Sequence, residues 1–94
     1  MNNEEAKALL REHLQTYRQR TYEELVRLLG EPQVVELRGD SGATYQVEVE
    51  VHWDGRPSGA VRVLGAIDDG GWHAAFTPLC DDFIMAPDGS FVGE

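Results

Sequence analysis

The sequence predicts an α+β domain in two layers, with two N-terminal helices packed on an antiparallel meander sheet of four to six strands. Three observations carry this. Apolar residues recur at helical spacing up to Leu29, the period drops to two after Pro32, and Gly, Asp, Ser and Pro gather between the alternating runs. The helical part covers about residues 3–30 and the sheet part about 33–92 of one domain. A chain of 94 residues suits one core, since domains commonly hold about 100–150 residues.

The first helix follows from Asn2, a capping residue with Glu5 three positions on, and from Ala6, Leu9, Leu10, Leu14 and Tyr17 on one face. The second is marked at both ends. "TYEELVRLLGEP" opens with Thr21 and Glu24 in capping-box spacing, carries Leu25, Val26, Leu28 and Leu29, and closes at Gly30 before Pro32. Arg18 and Arg20 fall near the negative end of the first helix, which gives them a structural reason without an anionic ligand.

"TYQVEVEVHW" is the clearest strand: Tyr45, Val47, Val49, Val51 and Trp53 share one face, with Thr44, Gln46, Glu48, Glu50 and His52 on the other. "QVVELR" precedes it and "AVRVLGAI" follows, joined through "GDSG" and "DGRPSG". The strand from Ala60 to Ile67 is apolar on both faces except at Arg62, which places it centrally and partly under the helices. "SFVGE" at the end forms a short edge strand or frays.

Composition excludes several functions. Apolar residues make up 41% and charged residues 27%, a globular balance. No run approaches the roughly 20 apolar residues of a membrane span, and "MNNEEAKALLREHLQ" lacks the basic and apolar regions of a secretory signal, so a cytoplasmic protein is expected. The net charge is −9 and unevenly placed: residues 1–38 hold six basic and seven acidic residues, whereas residues 39–94 hold ten acids against Arg56 and Arg62. Such a field repels phosphate backbones, which disfavours nucleic acid and anionic membranes and leaves a basic protein partner or a cation.

The stretch from Gly65 to Phe91 concentrates the candidate chemistry. Asp68, Asp69 and Asp88 stand in "DDGG" and "PDGS", where Asp caps its own backbone and the following Gly takes a positive φ; these read as turns. Asp81 and Asp82 lack a following Gly and form the first candidate site, with Trp72 and His73 as further candidate binding residues. A divalent cation would draw on Asp68, Asp69, Asp81, Asp82 and Asp88 if turns 68–71 and 87–90 shared one end of the sheet, although the spacing matches no EF-hand loop. His13, His52 and His73 show no zinc-ligand spacing, and His52 reads as an exposed residue.

Cys80, alone in the chain, fits a reducing compartment and reads as a small buried hydrophobe, because a nucleophile needs a thiolate-stabilising neighbour and Asp81 and Asp82 adjoin it. No GxSxG, GxGxxG or P-loop pattern is present, Lys7 is the only lysine, and "RGD" at 38–40 reads as a hairpin corner. Trp53, Phe76, Phe83 and Phe91 are expected in the core, with Trp72 the aromatic residue most suited to a partner.

The order of elements resembles the layout of cystatin-like helix-on-sheet folds. The ending "IDDGGW…PLCDDFIMAPDGSFVGE" looks like that of a family of small uncharacterised bacterial proteins with no assigned activity. The resemblance implies a layout and no catalytic residue. The functional expectation is a non-enzymatic acidic interaction module, without cofactor, that binds a basic protein partner or pairs with itself as a homodimer. The alternative is a small-ligand or metal-binding protein using Asp81 and Asp82 at the rim of the sheet.

Overall fold

In a computed structural model describing residues 1–70 and 78–94, the chain forms helices α1 (Asn3–Arg18) and α2 (Tyr22–Val26). Strands β1 (Gln33–Arg38), β2 (Thr44–Trp53), β3 (Val61–Asp68) and β4 (Leu79–Met85) follow. The strands make one antiparallel meander in the order β1-β2-β3-β4. Its ten-residue strand β2, at roughly 3.4 Å per residue, sets the long axis of a 39 × 21 × 21 Å body.

Helix α1 begins where Asn2 accepts a hydrogen bond from the Glu5 amide, and it buries Ala6, Leu10, Leu14 and Tyr17. It lies over β3 and β4. The approach is close because Gly65 has no side chain: a Cβ there would sit 2.8 Å from Leu10 Cδ1 and 3.1 Å from Leu14 Cδ2. The alternation read in β2 holds, so Tyr45, Val47, Val49 and Val51 join Val61, Val63, Ile67, Phe83 and Met85 under the helices. Each such side chain contributes about 1.5–3 kcal/mol on burial before entropy is counted.

The second helix is shorter than the sequence predicts. The Thr21–Glu24 capping box is present, but α2 ends at Val26, and the Leu28 and Leu29 amides bond three residues back, to Leu25 and Val26. The reason is tertiary. Leu29 forms a parallel bridge with Val51, beyond the reach of β1, and pulls the chain out of helical register before Gly30 turns it at φ +75°. Tyr22 ties α2 to the β2–β3 hairpin by donating to the Gly59 carbonyl at 2.6 Å.

Two side-chain clamps fix the layers. Glu5 accepts from the Ser41 amide (3.0 Å), the Ser41 hydroxyl (2.7 Å) and the Tyr45 hydroxyl (2.7 Å), joining α1 to the β1–β2 hairpin. At Gly39 a Cβ would overlap the Glu5 carboxylate, so the "RGD" glycine serves close approach at a hairpin corner. At the far end of α1, the Arg18 guanidinium stacks over Phe83 (4.8 Å) and Phe91 (4.7 Å) and donates two 2.7 Å hydrogen bonds to Glu94. The final residues therefore pair with β4: Phe91 bridges Met85, and the Val92 amide donates to the Ile84 carbonyl.

Candidate functional site

Among the described residues, those singled out from the sequence do not converge. Asp68 ends β3, and its carboxylate accepts from the Gly70 amide at 2.7 Å, with Gly70 at φ +78°. Asp88 accepts from the Ser90 amide and hydroxyl at 2.9 and 2.6 Å, with Gly89 at φ +89°. Both are turn aspartates. Asp69 lies 3.9 Å from the Met1 amino group. The two turns do not share an end of the sheet: Ile67 pairs with Leu79 at one end of β4 and Val61 with Met85 at the other, a strand length of roughly 20 Å apart.

Asp81 and Asp82 also separate. They lie within β4 rather than in a turn, opposite Gly65 and Leu64, so the pleat sends Asp81 to the helix side and Asp82 to the opposite face. Asp81 adds to the negative potential around Arg18, whose pKa is raised chiefly by its hydrogen bonds to Glu94. Asp82 lies 3.3 Å from Arg62, which is also 3.8 Å from Asp54. Among the described residues no three His, Cys, Asp or Glu side chains could hold one metal ion. Trp72, His73 and Phe76 lie outside the described residues.

Cys80 is exposed rather than buried. Its even position in β4 turns it away from the helices, a consequence of register that its residue type does not reveal. Phe83 is in the core, Trp53 and Phe91 pack against it, and His52 is exposed with its Nε2 2.8 Å from Glu50.

What the fold does assemble is a surface. Helices α1 and α2 occupy one face of the sheet, and the other carries Glu36, Glu48, Glu50, Asp68 and Asp82 around half-buried Leu64, Ala66 and Ile84. No described element covers it. Among the described residues of that face Arg62 is engaged with Asp82 and His52 lies against Glu50, while Arg38 lines the hollow beside α1. A shallow hollow of about 250 Å³ opens there between Val34, Gln46, Glu48, Ala66, Asp68 and Pro78. The sequence shows this strand apolar on both faces except at Arg62; the parity that Leu64 and Ala66 share with Arg62 puts them on the face away from the helices.

A second surface lies beside α1. Leu9, Glu12, His13, Thr16, Leu37 and Arg38 line a hollow of about 300 Å³, which adjoins one of about 600 Å³ reaching Glu4, Ala8 and Asp40. His13 packs edge-on against Tyr17 at 5.5 Å, and its Nε2 is buried without a hydrogen-bond partner. Burial, reinforced by the nearby Arg20 charge, lowers the His13 pKa and keeps the ring neutral.

No family model, curated protein or solved structure matches this chain.

Proposed function

We propose that the protein is a non-enzymatic docking module whose acidic sheet face, opposite the helices, engages a basic surface of a protein partner. The observation that supports this most is the arrangement of that face. Five carboxylates surround a small apolar centre of Leu64, Ala66 and Ile84, a composition suited to a partner with lysines or arginines around an apolar contact. Attraction of this kind steers encounter and weakens with salt, because the Debye length falls to about 8 Å at physiological ionic strength.

The test compares two charge reversals of equal size. Glu36→Lys with Glu48→Lys alters the face; Glu23→Lys with Glu31→Lys alters the surface around α2 and the loop after it. Affinity for hen-type lysozyme, used as a folded basic probe, is measured by calorimetry at low salt. The face variant is expected to lose about tenfold in affinity, about 1.4 kcal/mol, and the control to lose little. Equal losses would reduce the binding to net charge and remove the support for a specific face.

A further inference from the structure

The open edge of the sheet at β1 carries an inference about the kind of segment the protein can hold. β1 pairs with β2 on one side, and no described strand pairs with it on the other. The Gly39 amide donates to the Ala43 carbonyl at 2.8 Å, which fixes the alternation of the ladder: Leu37, Val35 and Gln33 bond toward β2, and the amides and carbonyls of Val34, Glu36 and Arg38 point outward. Such a row is a template for another strand.

The edge is not flat. Along its helix side run the two adjoining hollows between α1 and β1, with Leu9 and Leu37 as an apolar floor and three carboxylates, Glu4, Glu12 and Asp40, around them against one cation, Arg38. Among the described residues none of these three carboxylates takes part in an ion pair, whereas Glu5 is committed to Ser41 and Tyr45. His13 lines the same hollow, with its Nε2 buried beneath the surface.

We infer that this edge and groove accept an extended, basic segment of a protein partner by strand addition. Backbone groups of the segment bond to Val34, Glu36 and Arg38, and every second side chain enters the groove. A lysine or arginine fits there because its aliphatic stem covers Leu9 and Leu37 while its charged head reaches Glu4, Glu12 or Asp40. A second copy of the chain is the other occupant an open edge admits, and charge decides against it. Two copies at −9 each repel, and the antiparallel register that pairs the outward amides, Val34 with Arg38, sets Glu36 against Glu36. The inference rests on the reading of the protein as a module for basic partners and locates a different surface of it.

The probe is a nine-residue peptide of alternating lysine and valine, titrated into the labelled protein with amide shifts and affinity recorded together. The shifts are expected at Val34, Glu36 and Arg38, and affinity is expected to fall about tenfold with a peptide N-methylated at alternate residues. Glu36→Pro should have the same effect, since it removes an outward amide that β2 does not use. Leu9→Lys, which fills the groove with a charge and leaves every β1 amide in place, should weaken binding as well. Shifts confined to Leu64, Ala66 and Asp82 would overturn the edge site while keeping the docking reading, and no binding at millimolar peptide would overturn it outright. A concentration-dependent dimer in which β1 amides become protected without peptide would assign the edge to a second copy instead.

Discussion

Single residues at the layer boundary decide how tightly the helix sits on the sheet. Gly65 lies opposite Asp81 with no positive-φ requirement, so its role is space, and Gly65→Ala is expected to lower stability by about 1–3 kcal/mol in urea unfolding because Leu10 and Leu14 have little room to move. At Gly39 the neighbour is a carboxylate. Gly39→Ala displaces Glu5 from Ser41 and Tyr45, so a double-mutant cycle with Glu5→Ala should be non-additive: the second alanine costs less once the first has emptied the space. Additive losses would mean that Glu5 does not hold the hairpin.

His13 gives the fold a pH dependence whose sign follows from its neutral, desolvated ring. Its folded pKa lies below the ordinary 6.5, so the unfolded chain takes up the proton first and stability declines as pH falls below that value. Glu5 and Glu94, held below 4.5 by hydrogen bonds to Ser41 and to Arg18, add a second decline in more acid solution, as their folded values are approached. Urea midpoints at pH 7.5 and 5.5 should therefore differ in the native protein and differ less in His13→Phe, which keeps the edge contact with Tyr17. An unchanged difference would place the titration elsewhere.

At the scale of elements, the C-terminal strand pairing depends on Arg18 more than on its ion pair. The Arg18–Glu94 bridge is partly exposed, at 22% and 47%, and exposed bridges contribute about 0–1 kcal/mol, whereas the guanidinium also covers two aromatic rings. Arg18→Gln is thus expected to speed exchange of the Val92 amide more than Glu94→Gln does. Equal effects would reduce the clamp to the ion pair.

The elements differ in how much of them the sequence reveals. β2 is legible to its ends, because strict alternation and flanking turn residues agree with its two-sided environment. α2 is legible at its start, where a capping box is a local interaction, and not at its end, where pairing of Leu29 with Val51 overrides propensity. β4 is the hardest. "LCDDFIM" places acids on both faces, which hides the alternation, and an edge strand tolerates this because Asp81 stays exposed even on the helix side. The turn aspartates Asp68 and Asp88 are read correctly for the same reason as the capping box: each bonds to its own neighbours.

For the whole molecule, the acidic character of residues 39–94 becomes a surface rather than a site. The meander sends alternate carboxylates of β1 to β4 onto one face that no described element covers and spreads the turn aspartates to opposite ends, a result of register that one-dimensional spacing does not carry. Calorimetric titration with calcium, magnesium or manganese is accordingly expected to show no stoichiometric site below millimolar concentration, and a saturable site lost in Asp82→Asn would contradict the distribution described.

The most direct measurement is the map of amide shifts produced by a folded basic probe such as lysozyme. Changes concentrated at Glu48, Glu50, Leu64, Ala66 and Asp82 and diminished by added salt are the predicted result. Changes spread over α1 and the hairpin turns, or a map indifferent to ionic strength, would contradict the assignment of the open sheet face as the docking surface.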